Sequence, residues 1–234
     1  MFQNIKIILF NLAVVFFSFS VAFAVSNKKM PNDIRWVKES NEYKILCSNI
    51  FNRASECILV NTGLIKIQSS KIQSDRFSVV VDLDETILDN SDYQVERWKA
   101  GLSFTQESWS EWVNRREAKL VPGARKFLLK TRKLGVRIIF LSNRMVTNLE
   151  PTKQNLEALD VLGASDIFLL RQNMSDTKEI RRQEIINGTG RMKKVGPLNI
   201  VAYLGDQSGD FPDERVEEFG IKYFLFPNPM YGKW

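Results

Sequence analysis

Two rhythms of apolar residues divide the chain. From about Trp36 into the 60s, Tyr43, Leu46, Cys47, Ile50, Phe51, Ala54, Cys57 and Ile58 recur at the i, i+3, i+4, i+7 spacing of a helix with one buried face. This pattern predicts an N-terminal helical region over about residues 33–73, broken or relayed near Asn61-Thr62-Gly63. The period then shortens. Residues 77–81 form a β-branched apolar run, and similar runs follow at 136–141, 166–170, 199–204 and 222–226. Such near-continuous apolar strands suit a parallel sheet buried on both faces. Helices are predicted between and after them at 123–133, 148–162, 177–187 and 213–219, with Gly135, Gly163 and Gly220 as stops. Strand and helix alternate, so the expected class is α/β, a Rossmann-like parallel sheet flanked by helices. Residues 89–120 break the rhythm, holding Trp98, Trp109 and Trp112 in a charged context, and are expected to form a small, mainly helical inserted cap.

The two cysteines, Cys47 and Cys57, fall within the first helical pattern. Ten residues along a helix span about 15 Å, well beyond the ~7 Å limit between disulfide-linked Cα atoms, so two buried free thiols are expected.

The first 24 residues have the character of a secretory signal peptide. Lys6 is the only charge before Lys28, residues 7–23 are strongly apolar, and Ala22-Phe23-Ala24 offers a small-residue cleavage site. The rival is a retained membrane anchor, because the apolar stretch is close to spanning length. With cleavage, no stable membrane anchor is expected, and the product is periplasmic or secreted. Cleavage removes one lysine and no acid, so the net charge of +6 becomes +5.

Composition narrows the chemistry. No histidine occurs, which excludes Ser-His-Asp and Cys-His hydrolysis, histidine-ligated zinc and phosphohistidine intermediates. Catalysis must use carboxylates, lysine, arginine, hydroxyls or a carboxylate-bound metal. The 33 Lys and Arg against 27 Asp and Glu give a mild bias toward anionic partners. Arg181-Arg182 and Lys193-Lys194 are expected to be a solvated helix face and loop, and no nucleic-acid partner is expected.

In an open α/β sheet, ligands bind beyond the carboxyl ends of the strands. The first predicted strand runs into Asp82-Leu83-Asp84-Glu85-Thr86, the second into Ser142-Asn143-Arg144, and the fourth into Gly205-Asp206-Gln207-Ser208-Gly209-Asp210, with Lys178 beyond the third. Four carboxylates, a hydroxyl and a lysine on one rim would repel one another without a cation, and an all-oxygen donor set points to Mg²⁺. Each aspartate alone is also explicable as a turn or helix-cap residue, as Asp89, Asp92 and Asp213 are.

These blocks resemble the four motifs of haloacid dehalogenase-like phosphatases. The longer stretches at 81–91, 121–124, 141–144, 178–182 and 227–232 are similar to the bacterial class C acid phosphatases, the secreted group that includes outer-membrane lipoprotein acid phosphatases. The resemblance implies a phosphatase domain over 25–234. It implies Asp82 as nucleophile and Asp84 as acid and base. Mg²⁺ would be held by Asp82, the Asp84 carbonyl and Asp206, with Asp210 as a further ligand. Ser142, Asn143 and Lys178 would bind the phosphoryl oxygens, and Thr86 and Arg144 would support the loop. Trp98, Trp109, Trp112, Tyr231 and Trp234 are either core packing or stacking surfaces, with Trp98 and Tyr231 the candidates for facing a substrate ring.

The expected activity is that of an exported, Mg²⁺-dependent acid phosphatase on small phosphomonoesters, with 5′-nucleotides or nicotinamide mononucleotide suggested by resemblance. The alternatives are a phosphotransferase or phosphoprotein phosphatase on the same scaffold, or a non-catalytic surface binding protein. The oligomeric state is left open, a homo-oligomer included.

Overall fold

The apolar run at residues 77–81 becomes the central strand of a parallel sheet because both of its faces are covered. In the computed structural model, which describes residues 29–63 and 76–232, β1 (Phe77–Val81) buries Val79 and Val81 against one layer of helices and Val80 against the other. The strands are β1, β4 (Arg137–Met145), β5 (Ile167–Arg171), β6 (Asn199–Gly205) and β7 (Tyr223–Leu225), in the order β5-β4-β1-β6-β7, all parallel. The chain therefore builds outward from β1 on one side and then returns to β6 on the other. That reversal opens a crevice at the carboxyl ends of β1 and β6, where ligands of such sheets bind.

Two compact units divide at Asn32, and Asp33–Trp234 carries this sheet. The predicted single N-terminal helix is two helices, α1 (Asn32–Glu39) and α2 (Asn41–Asn61). Ser40 separates them: its extended backbone ends α1, and its side chain caps α2 by accepting from the Tyr43 amide at 3.1 Å. Cys47, Phe51, Ala54 and Ile58 of α2 face the core with Phe127 and Leu128 of α5 (Ala124–Lys133). Cys47 and Cys57 both lie on α2, buried and unbridged, as the spacing predicts. The predicted signal at 1–24, residues 64–73 of the N-terminal region, and Trp234 lie outside the described residues.

The insertion between β1 and α5 leaves and rejoins the core through one short antiparallel pair, β2 (Leu88–Asp89) with β3 (Lys119–Leu120). Between them run α3 (Ser91–Ala100) and α4 (Gln106–Arg115). Trp112 is buried, with Nε1 donating to Asn90 Oδ1 at 2.8 Å, and Tyr93 packs against both Trp109 and Trp112.

Three expectations need correction. The second strand does not stop before Ser142 but continues to Met145 through an irregularity between those two residues. The helix predicted at 148–162 is shorter, α6 (Leu149–Ala158), because Asp160 turns left-handed at φ 51° and sends Val161 into the core. The helix at 213–219 is only a 3-10 turn, Val216–Glu218. Asp213 is held by Arg215 and Tyr223, and Val216 stays 80% exposed while Phe219 alone packs inward, so one apolar contact rather than a buried face is left to support a helix.

Candidate active site

The loop after β1 is tied into a tight turn by its own backbone. Leu83 O accepts from both the Ile87 and Leu88 amides, the Glu85 amide donates to Leu88 O, and Glu85 sits at φ 57°. Thr86, expected to orient this loop, is fully buried, but its hydroxyl makes no hydrogen bond, so its contribution is packing. The turn places Asp82 and Asp84 in one cavity of about 440 Å³ with Asn143, Arg144, Lys178, Asp206, Asp210 and Tyr231. The residues singled out at the strand ends thus converge, with one exception. Ser142 is completely buried behind Asp84, its Oγ 3.5 Å from Asp84 Oδ2 and accepting from the Arg144 amide.

Lys178 is the hub of the carboxylates. It opens α7 (Lys178–Asn187), whose N-terminus Thr177 caps, and its ammonium donates to both Asp82 and Asp210. Burial works against its charge, but Asp210 and Asp82 outweigh this and raise its pKa. Asp82 is pushed up by burial and by Asp210, Asp206 and Asp84, against the pull of Lys178. Asp206 is pushed up to about 7 by burial and by Asp210, while the Asn228 amide, 2.8 Å from Oδ2, opposes the rise. One oxygen from each of Asp82, Asp206 and Asp210 lies within 4.8 Å of the others. Three crowded carboxylates share one ammonium, with no sulfur or imidazole donor in the cluster. This donor set fits a hard divalent cation such as Mg²⁺.

Asp84 stands outside that trio, surrounded by donors. Arg144 Nε lies 3.0 and 3.2 Å from its two oxygens, Arg144 Nη2 lies 2.7 Å from Oδ1, and Asn90 Nδ2 reaches Oδ1 at 3.0 Å. Asn143 holds no carboxylate. Its Oδ1 accepts from Arg171 at 3.1 Å and from Arg181 at 2.9 Å.

Of the two aromatic candidates, Tyr231 lines the cavity, with its hydroxyl bonded to Glu85, and Trp98 does not. Gln94 of α3 is in the lining, and Trp98 lies a full turn, about 6 Å, farther along the helix. Trp109 and Phe104 supply the aromatic wall instead. Arg181 and Arg182 are not a solvated face. Arg181 is wholly buried, bonding the carbonyls of Ser142 and Leu169, and Arg182 is nearly so, reaching Gly209 O at 3.1 Å. A guanidinium can satisfy several carbonyls at once where strand ends converge. Only Lys193 and Lys194 are exposed as predicted.

Sequence reasoning missed Glu85, Asn90, Arg171 and Met174. Glu85 and Asn90 fall inside the 81–91 block, so their location was legible while their partners were not. Arg171 is the last residue of β5, one position past the predicted strand, and Met174 lies in the following loop, which has no pattern of its own.

The chain is similar to solved class C acid phosphatase structures from Bacillus anthracis. One shares 31% identity at a TM-score of 0.72, covering 86% of this chain and 84% of the other. A second, with tungstate bound, shares 30% at 0.71 over the same shares. Among plant proteins, it is 29% identical over 158 residues to a stem 31 kDa glycoprotein of Glycine max, covering 65% of this chain and 58% of that one. It is 26% identical over 164 residues to vegetative storage protein 1 of Arabidopsis thaliana, covering 68% and 57%. The chain thus spans little more than half the length of these plant relatives. A family model of the HAD superfamily, subfamily IIIB (acid phosphatase), matches residues 13–234, and the chain belongs to that family.

Proposed function

We propose that the protein is an exported, Mg²⁺-dependent acid phosphatase acting on small phosphomonoesters, 5′-nucleotides among them. The observation that carries this reading is the Lys178 ammonium shared by Asp82 and Asp210 beside Asp206, with Asp84 in the same cavity. The family and the tungstate-bound relative, which holds a tetrahedral oxyanion, support it. Export rests on the sequence of residues 1–24.

Asp82 Oδ attacks phosphorus; the new Asp–phosphate bond forms as the ester P–O bond breaks. Asp84 gives a proton to the departing oxygen. Water then attacks the aspartyl-phosphate, surrendering its proton to Asp84, and inorganic phosphate leaves with both residues restored. Lys178 offsets charge on the phosphoryl oxygens and fixes Asp82. Asp82, Asp206 and Asp210, with the Asp84 carbonyl, would hold Mg²⁺, which when bound would neutralise phosphoryl charge. Arg144 and Asn90 orient Asp84, Ser142 supports Asp84 and the Arg144 amide from behind, and Asn143 lines the phosphate side of the cavity.

The plant storage-protein relative favours a second reading, a non-catalytic role on the same fold. The intact Asp82-Asp84 pair weighs against it. Phosphate release from a 5′-nucleotide and from an aryl phosphate, with Mg²⁺ or chelator and with Asp82→Asn, separates the two. Turnover that requires both metal and Asp82 is expected. A folded, metal-loaded protein with no turnover on either ester would support the non-catalytic role.

A further inference from the structure

We infer that Arg171 binds a second anionic group, a phosphate or carboxylate on the leaving-group side of the substrate. The inference rests on the phosphomonoesterase reading and adds a specificity residue to it.

The cavity lining carries three cations, and two are committed. Lys178 serves Asp82 and Asp210, and Arg144 is forked onto Asp84. Arg171, the last residue of β5, has no carboxylate within 4.0 Å among the described residues. The nearby acid that could have paired with it, Asp176, is taken by Arg191 at 2.8 Å and approached by Arg181 at 3.5 Å.

The guanidinium of Arg171 is poorly satisfied. One Nη donates to Asn143 Oδ1, and the other meets only the Met174 sulfur at 3.9 Å. Its Nε is buried with no hydrogen-bond partner at all. A buried donor left unmade is costly, and the Nη that meets only sulfur is the donor left for a ligand. Its charge also faces like charge: Arg181 is held below its ordinary value chiefly by burial, and Arg171 adds to that lowering. An anion in the cavity would balance the guanidinium charge and give this Nη a strong acceptor.

The position selects which anion. Arg171 bonds none of Asp82, Asp84, Asp206 or Asp210, and its side-chain partners are Asn143 and Met174. It therefore faces the part of the cavity beyond the transferred phosphoryl group. Phe104 and Met174, 60% and 77% exposed, also line the cavity, so the anion would sit beside an apolar wall. The substrate class is a phosphomonoester whose alcohol bears a second phosphate or a carboxylate.

The test compares matched esters on the wild-type protein and on Arg171→Gln, which can still donate to Asn143. One arm sets 3-phosphoglycerate against glycerol 3-phosphate, which differ in a carboxylate. The other sets a nucleoside 3′,5′-bisphosphate against its 5′-monophosphate, with products separated. In at least one arm, the variant should raise KM about tenfold for the doubly anionic ester only, with kcat held, as expected for one lost charge-assisted hydrogen bond. Equal loss on both members of each pair would overturn the inference and make Arg171 a support for Asn143 or the phosphoryl group. Unchanged kinetics would overturn it as well. Turnover of the single-anion esters shows that the phosphomonoesterase reading stands independently; no turnover of any ester defeats both.

Discussion

Arg144 grips Asp84 through a fork, with Nε and Nη2 placed 2.7 to 3.2 Å from the carboxylate oxygens. Its Nη1 is fixed in turn by Thr152 Oγ1 at 2.9 Å, and the arginine is almost completely buried. The fork sets where the Asp84 carboxylate points, which matters for a group that must reach a leaving oxygen. A lysine keeps the charge but loses the planar geometry. Arg144→Lys is expected to lower kcat by about 10- to 100-fold, the scale of a small misplacement of a catalytic group, with KM little changed. Adding Arg144→Lys to Asp84→Asn should cost almost nothing further. Full additivity of the two losses would mean that Arg144 acts apart from Asp84.

Gly205 explains how Asp210 comes so close to β6. A Cβ at Gly205 would meet the Asp210 carboxylate and its Cβ at 2.2 Å, a clash that only movement of Asp210 relieves. Gly205→Ala should pull Asp210 away from Lys178 and weaken Mg²⁺ binding about 10- to 100-fold. Titration calorimetry with the metal alone reads this directly. Wild-type affinity in the alanine variant would remove Asp210 from the metal set.

Much of this arrangement was legible because it follows from strand termini. Asp82, Ser142 and Asp206 each lie at the end of an apolar run, and a parallel sheet forces those ends onto one edge. Side-chain pairing was not legible in the same way. Arg181 looks like any helix-surface arginine, yet it bonds carbonyls of both β4 and β5, at Ser142 and Leu169, beside the irregularity in their register. Trp98 and Trp109 share a polar, tryptophan-rich segment, and only the placement of α3 and α4 decides which one faces the cavity. The turn at 216–218 shows the other limit: Val216 and Phe219, three apart, suggest a helix, but only Phe219 packs inward, against Phe211 and Tyr223, while Val216 stays exposed.

The inserted helices reach the catalytic loop through one buried side chain. Trp112 Nε1 donates to Asn90 Oδ1, and the same amide's Nδ2 donates to Asp84 Oδ1 at 3.0 Å. Trp112→Phe removes the donor and leaves the Asn90 oxygen buried without it, at a cost of about 1–3 kcal/mol. Lost indole packing adds to this. Chemical denaturation should show a lower midpoint at an unchanged slope. Activity should fall more than in a half-buried control outside the cavity lining such as Trp98→Phe, because Asn90 is then free to turn away from Asp84. Equal activity in the two variants would deny the Trp112–Asn90–Asp84 connection.

Acid sensitivity should have a contribution remote from the metal cluster. Burial raises the Asp176 carboxyl, but hydrogen bonds from Arg191 and the Gln172 amide, together with the charges of Arg191 and Arg181, outweigh it and hold the group below its ordinary value. A depressed folded-state pKa adds stability above the unfolded value, roughly 3.9, and that stability is lost as pH falls through the folded value. Asp176→Asn should therefore lower Tm by several degrees near neutrality, where the carboxylate pairs with Arg191. The gap from wild type should begin to narrow as pH falls below about 4 and should close only below the lowered folded-state value, where wild-type Asp176 is itself protonated. A gap that stays constant from neutral to acid pH would show that Asp176 stabilises this corner by shape and hydrogen bonding alone, with no share from its charge.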